Sequence, residues 1–440
     1  METDDTAIDV AVIGGGMAGL TAACYLARAG RGVTVFEQAP VPGGRAATQH
    51  SGGFAFNRGA HALYSGGAAS RVLHELGIAY TYGTPSAIWV MNHGRLAPFP
   101  ARFWTLVRSP LLSPPDKLVL ARVFAMLPRM DARALAGVSV QTWIESTSTR
   151  PKVRHFIAGL ARPFLYTAAL DLVSAEVFVD KLQRARTHPI QYIDGGWHTL
   201  VAGLRERAEQ AGARIVASCD VGSIEHAGGQ IHGLRLRDGR FVPAAAVVIA
   251  TPPRAALRLL DDGRYAPLRT LVEPLVPAHI ACLDVALERL PAPSYPVVQD
   301  LDGPRFLTAQ SQYARVAPPG AALVHLFKQS DPRRPSDPEA DEQDLEGLLD
   351  AVQPGWRDVV LRRIFLPRME AVSALPLAGS GGFAGRPGPR VPCLANGYLA
   401  GDWVGDEGFL VDTSMASAHA AAQQILRTPV QAPAEAGALV

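Results

Sequence analysis

Cysteine is scarce in this chain, and its members stand far apart. Cys24, Cys219, Cys282 and Cys393 are all there are in 440 residues, with no CxxC pair and no metal-ligand spacing. A disulfide framework and a structural zinc site therefore have no support, and the pattern fits a reducing cytoplasm. An excess of one charge is equally lacking. Lys plus Arg number 42 against 40 Asp plus Glu, a net charge of +2, so no basic field points to nucleic acid. No apolar run approaches the roughly 20 residues that a membrane-spanning helix needs. Met1 to Val10 is acidic ahead of the first apolar run, the wrong polarity for a secretory signal. Glycine and proline, 42 and 35 residues, stay below the level of disordered or collagen-like chains. What is present is 48% hydrophobic residues against 19% charged, enough for a sizeable core, in a length that suggests two or three domains. These are the marks of a globular protein, soluble or peripheral to a membrane.

The N-terminal stretch is the most informative. Ile8 to Ile13 reads as a buried parallel strand. Gly14, Gly16 and Gly19 then fit GxGxxG, with Met17 and Ala18 inside the motif. Leu20 to Ala29, rich in Ala and Leu, reads as a helix stopped by Gly30, and Val33 to Phe36 as a second strand ending at Glu37. Within such a strand–turn–helix–strand unit Gly14 permits the tight turn. Gly16 lets backbone approach a pyrophosphate, and Gly19 lets the helix pack on the strand. The helix start offers N–H groups and partial positive charge to phosphates. Glu37 lies 18 residues past Gly19, near the offset of a carboxylate that holds ribose hydroxyls. A carboxylate there repels a 2′-phosphate and disfavours NADP; the motif alone leaves NAD and FAD open.

The residues that follow separate the two. Pro42-Gly43-Gly44-Arg45-Ala46 comes first, then a glycine-rich hairpin from Ser51 to Asn57, then Gly59-Ala60-His61-Ala62-Leu63-Tyr64. A simple NAD dehydrogenase would run on into another strand and helix, whereas a glycine turn pressing main chain against a long cofactor suits FAD. Here the sequence resembles the flavoprotein superfamily of amine oxidases, protoporphyrinogen oxidases and phytoene desaturases. The resemblance implies that Gly43, Gly44 and Arg45 run beside the FAD pyrophosphate and flavin. It also implies that Gly59, Ala60, His61 and Tyr64 come close to the flavin ring, and that the chain returns to its cofactor domain twice more.

Both returns have candidates. Asp194-Gly195-Gly196-Trp197 precedes an amphipathic helix from Thr199 to Gln210, then a strand from Ala213 to Val216 and Cys219-Asp220-Val221. Strands Gln230 to Arg237 and Phe241 to Pro243 flank the Asp238-Gly239 turn, and Ala245 to Thr251 reads as a further buried strand. By resemblance, Val221 meets the adenine through its backbone. Near the C-terminus, a strand from Asn396 to Ala400 leads to Gly401-Asp402-Trp403. Asp412-Thr413-Ser414 then reads as an N-cap cluster opening a helix from Met415 to Leu426. The resemblance places Asp402 on the ribityl or phosphate region and aims the helix start, at Met415, toward the flavin pyrimidine edge. A helix dipole there stabilises negative charge on reduced flavin. Trp403 lines the flavin cavity or serves packing.

The expected fold is α/β: a discontinuous Rossmann-like FAD-binding domain, 1–85, 194–254 and 391–428, and an α+β substrate domain, 86–193 and 255–390, covering the flavin. The Ala/Pro-rich tail 429–440 reads as disordered. Gly379-Ser380-Gly381-Gly382 lacks strand–helix context and reads as a loop, so no second nucleotide site feeds in pyridine-nucleotide electrons. Segment 98–138 mixes Phe103, Trp104, Leu118 and Met126 with Arg and Lys. It reads either as an ordinary helix pair or as a peripheral membrane contact. Asp337 to Asp350 reads as a capped, solvated helix.

For chemistry, His61 and Tyr64 are the catalytic candidates. His61 is a candidate proton acceptor near neutral pH, or else a hydrogen-bonded packing residue. Many amine oxidases of the superfamily have a lysine near flavin N5, yet Ala278 to Leu287 has none, and Lys328 lies on a later segment. The aromatic pair of amine-binding members is replaced by Gly408-Phe409-Leu410-Val411. The expected activity is therefore FAD-dependent dehydrogenation of a small, largely hydrophobic molecule by hydride transfer to flavin N5, with oxygen or another acceptor reoxidising the cofactor. Amine oxidation to an imine and hydrogen peroxide is the alternative, and a non-redox lipid or partner carrier a minor one. No metal and no nucleic acid enter this expectation.

Overall fold

The computed structural model describes residues 8–100 and 103–428; the expected disordered tail, 429–440, lies outside the described residues. Two seven-stranded sheets organise the chain. The first has a parallel heart, in the order Arg214–Val216, Val33–Phe36, Ile8–Ile13, Phe241–Ile249 and Gly397–Leu399. Its central strand is an apolar run buried from Val10 to Ile13, as a strand covered on both faces requires. Val10 sits opposite both Val33 and Ala246, so segments distant in sequence meet in register.

Two expected strands prove to be one. Phe241 to Ile249 is continuous through Pro243. The proline precedes the stretch paired with the first strand, which begins at Ile8–Ala244, so that ladder loses no N–H there. The lower half of the same strand joins an antiparallel meander with Val221–Ala227 and Gln230–Leu236.

Helices Met17–Arg28, Ala68–Glu75, His198–Gln210 and Val411–Arg427 cover one face through a core that includes Leu20, Ala23, Leu204, Ala418 and Ala422. Small residues at these contacts let the helices approach closely. The first helix starts at Met17 rather than Leu20, because the glycine turn itself forms its opening turn. The last starts at Val411 rather than Met415, so Asp412, Thr413 and Ser414 lie inside it and do not cap it. Its N-cap is Leu410, at φ 59° and ψ −125°, a conformation that non-glycine residues rarely adopt. Asp412 instead accepts the Ala69 N–H at 2.8 Å, capping the neighbouring helix.

The second sheet runs Val360–Val372, Ala278–Leu287, Ala322–Gln329, Arg305–Thr308, Val297–Asp300, Trp89–Asn92 and Arg95–Pro98. All neighbours are antiparallel except Val297–Asp300 beside Trp89–Asn92. Helices Val140–Thr147, Pro151–Leu165 and Ala175–Thr187 join one core against it, and Pro338–Val352 packs into another. That acidic helix is capped by Asp337, as expected, but it is not simply solvated. Asp341 is buried and pairs with Lys328 at 2.8 Å, and Arg363 meets Glu342 and Glu346. The sheet presents bases to the acids. The Gly379 stretch forms two short 3-10 turns, Ala378–Ser380 and Gly382–Gly385, as its loop reading anticipates.

Candidate functional site

A cavity of about 590 Å³ opens along the C-terminal ends of the parallel strands and reaches the second sheet. The glycine motif forms its floor. A Cβ on Gly14 would lie 2.7 Å from the Ala250 carbonyl oxygen, and one on Gly19 only 1.9 Å from that of Gly14, so both glycines serve close approach. Gly16 and Gly44 are different. Their nearest neighbours would be 3.9 and 3.7 Å away, and both border the cavity, forming a cradle that side chains would fill. Gly43, at φ 142°, donates to the Gly15 carbonyl at 2.9 Å and holds the two turns together. The helix that starts at Met17 has neither a side-chain cap nor an acid in its first turn, which leaves its positive end for an anion.

Glu37 is buried, with one carboxylate oxygen accepting the Gly15 N–H at 2.7 Å and the other the Ala39 N–H at 2.8 Å. Each oxygen keeps a lone pair for a further donor. Val221 lines the same region beside Cys219 and Asp220. Two polar atoms of cavity-lining residues, Trp197 Nε1 and Thr251 Oγ1, are buried with no partner among the described residues. Buried polar groups are normally satisfied, so their orphaned state fits a polar ligand in the cavity. The cradle, the uncapped helix and the orphans together fit a long dinucleotide cofactor.

Gly401 and Asp402 also border the cavity, but the Asp402 carboxylate is already engaged. Arg45 donates to its two oxygens at 2.9 and 2.6 Å, and the Ser373 N–H at 2.9 Å. Burial alone would raise this carboxyl; Arg45 and Ser373 hold it below its usual range. Trp403 is fully buried, borders the cavity and donates to the Thr251 carbonyl at 3.0 Å.

His61 lines the cavity, but its Nδ1 faces the Gly59 carbonyl and its Nε2 the Arg45 carbonyl, each at 3.1 Å. Burial lowers its pKa while the two carbonyls oppose that shift. A neutral ring has one N–H, so it donates to only one of these two carbonyls, and its other nitrogen faces the second with a lone pair. Trp197 stands edge-on to it at 5.1 Å. Tyr64 and Ala60 border the cavity; burial pushes the Tyr64 hydroxyl well above its ordinary pKa, keeping it protonated.

Gly19, Gly59 and Met415 do not border the cavity. Gly59 donates to Asp284 at 3.0 Å, and Asp284 is in turn bound to His325 at 2.6 Å, a fully buried pair that pins the loop. Met415 is packed in the helix core, and Ser414 beside it reaches the cavity. Sequence reasoning missed Tyr166, Ile280 and Met369, which line the inner end. Tyr166, at φ 57°, ends helix Pro151–Leu165 in the left-handed region, which no local sequence pattern announces.

A model of the family described as flavin containing amine oxidoreductase matches residues 17–426. The chain belongs to that family. It is an oxidoreductase whose cofactor is FAD. Among curated relatives, coproporphyrinogen III oxidase of Propionibacterium freudenreichii is 24% identical over 419 residues, covering 78% of this chain and 76% of the relative. Hydroxyneurosporene desaturase of Cereibacter sphaeroides is 27% identical over 371 residues, covering 74% and 67%. Of solved structures, an oxidoreductase from Methanosarcina mazei superposes with a TM-score of 0.77 at 21% identity, covering 94% of this chain and 100% of that one. Putrescine oxidase bound to putrescine gives 0.73 at 16%, covering 96% and 100%. At these identities the structures speak for the fold alone. Among the described residues, no helix is long and apolar enough to cross a membrane.

Proposed function

We propose that this flavoenzyme dehydrogenates an uncharged, largely hydrophobic substrate held against the inner end of the cavity. The observation that carries the reading is the chamber wall. Tyr64, Tyr166, Ile280, Met369 and Phe409 give it an apolar and aromatic surface, and the charged side chains bordering it have internal partners. Arg45 is committed to Asp402, Asp412 accepts the Ala69 N–H, and Glu370 accepts the Ser373 hydroxyl at 2.7 Å. Among the described residues lining this wall, these charges are engaged within the protein, so the surface it presents suits an uncharged, apolar molecule.

In this reading Gly14, Gly16, Met17, Ala18, Gly43 and Gly44 cradle the pyrophosphate, Glu37 holds ribose hydroxyls, and Val221 meets the adenine. Gly401 and the start of helix Val411–Arg427 serve the flavin end. When bound, FAD supplies a hydride acceptor at N5. Arg45, fixed by Asp402, holds positive charge at the cavity wall. His61 packs between the two turns that frame the ring and donates to one of them, and the protonated Tyr64 hydroxyl donates into the chamber or to Tyr166. The proposed domain division, 1–85, 194–254 and 391–428 against 86–193 and 255–390, follows the two sheets, whose strands fall within those limits.

Phe103, Trp104, Val107, Leu118 and Met126, on helices Phe103–Arg108 and Pro114–Met126, are exposed beside Arg108 and Lys117. We read them as a peripheral membrane contact through which a lipophilic substrate enters.

The test is anaerobic mixing of the FAD-loaded protein with an uncharged isoprenoid polyene, a carboxylated porphyrinogen and an alkylamine. Bleaching of the flavin by the polyene class is expected. Bleaching by the amine alone would replace this reading with amine oxidation.

A further inference from the structure

The chain contains four lysines, Lys117, Lys152, Lys181 and Lys328, and one of them lies inside. Lys181, on helix Ala175–Thr187, is 6% exposed, and its Nζ donates a hydrogen bond to the Phe164 carbonyl at 2.7 Å. Four aromatic rings surround that nitrogen. Their centroids lie at 4.2 Å for Tyr64, 4.9 Å for Phe409, 5.7 Å for Tyr166 and 5.8 Å for Phe164.

Among the described residues no carboxylate comes within ion-pair distance of it. Asp412 on the last helix and Asp180 on its own helix act only at longer range, and Arg184 opposes them. A box of ring faces around a cation, without a carboxylate, is a general means of recognising an ammonium group. Here the protein's own side chain occupies the box. Tyr64, Tyr166 and Phe409 also line the large cavity, so the box and the substrate chamber share three walls.

We propose that Lys181 is a specificity-determining residue: by filling the aromatic box it denies that box to a substrate's ammonium group and reserves the chamber for uncharged molecules. The inference deepens the proposed function and rests on it. Exclusion by the side chain is steric and holds in either protonation state. Burial pushes the Lys181 pKa down to about 7, so the box loses its charge, but not its occupant, as pH rises through that value. The hydrogen bond to Phe164 also survives deprotonation, since a neutral amine still donates.

The test uses the FAD-loaded full chain with Lys181→Ala and n-butylammonium chloride as probe, with n-butanol as its neutral counterpart. The variant is expected to bind butylammonium saturably, about tenfold or more tightly than butanol, the factor a desolvated cation–π contact supplies. It should also recover part of its lost thermal stability on binding, and wild type should show no saturable binding. Equal affinity for the two probes, or saturable butylammonium binding by wild type, would overturn the proposal.

Should the alanine variant not fold, the wild type itself gives a reading through lysine labelled with ¹³C at the ε position. One of its four signals should be displaced by ring currents and stay in place as butylammonium is added; collapse of that displacement would refute occupancy of the box. Amine-driven bleaching of wild-type flavin would overturn the proposed function. The variant's selectivity between the probes is measured without turnover and stands or falls separately.

Discussion

Replacing Arg45 by methionine keeps much of the apolar stem and removes the charge that holds Asp402. The Asp402 side chain is 2% exposed and receives two bonds from Arg45 and one from Ser373. Breaking a buried pair by deleting one partner costs about 3–5 kcal/mol. Two features move the expected loss to the lower end. The Arg45 side chain is 41% exposed to the cavity, so solvent already screens part of the attraction. The stranded carboxyl also escapes by taking up a proton, which for an ordinary carboxyl at neutral pH costs roughly 4 kcal/mol and caps the loss. A loss of about 3 kcal/mol is therefore expected.

The pH dependence changes sign between the proteins. In wild type the folded pKa of Asp402 lies below the unfolded value. Its contribution is present above the unfolded pKa and fades as pH falls through the folded one. In the variant the folded pKa lies above the unfolded one, so the deficit shrinks from about pH 7.5 to about pH 5 as the carboxyl protonates. Urea unfolding of the cofactor-free proteins at both pH values, followed by circular dichroism, measures this. A second variant carrying Arg45→Met with Asp402→Asn should regain most of the loss. A deficit under about 1 kcal/mol with no pH dependence, or a double variant weaker than the single, would refute the reasoning.

Four further outcomes are expected. Gly16→Ala should leave the cofactor-free protein's stability within about 0.5 kcal/mol but weaken FAD binding about tenfold or more, because its Cβ meets only the Gly43 carbonyl oxygen, at an ordinary 3.9 Å, until the cofactor arrives. Gly19→Ala should instead destabilise the cofactor-free protein by more than about 2 kcal/mol and yield colourless protein, since its Cβ collides with the Gly14 carbonyl; calorimetry and flavin content distinguish the two. Glu37→Gln should lose about 1–2 kcal/mol of stability and bind FAD more weakly, because an amide accepts from only one of the Gly15 and Ala39 N–H groups; unchanged affinity in a fluorescence titration would remove Glu37 from the ribose site. The pair Phe103→Glu and Trp104→Glu should abolish co-sedimentation with anionic phospholipid vesicles while flavin content holds.

The linear pattern alone determined the parallel sheet, the glycine turn, the family and the cofactor, because these depend on local rules. A buried strand shows itself by an unbroken apolar run, and a phosphate turn by glycines at fixed offsets followed by a helix. Helix starts were less legible: Asp412, Thr413 and Ser414 read as a cap, yet the helix begins at Val411 and Asp412 caps a neighbour. What only tertiary packing decided is the character of the inner chamber. Arg45 and Asp402 lie 357 positions apart, and Lys181 meets rings from three separate segments. Whether an ionisable side chain faces a substrate, a counter-ion or an aromatic ring depends on which distant surfaces close around it, and spacing along the chain carries no record of that closure.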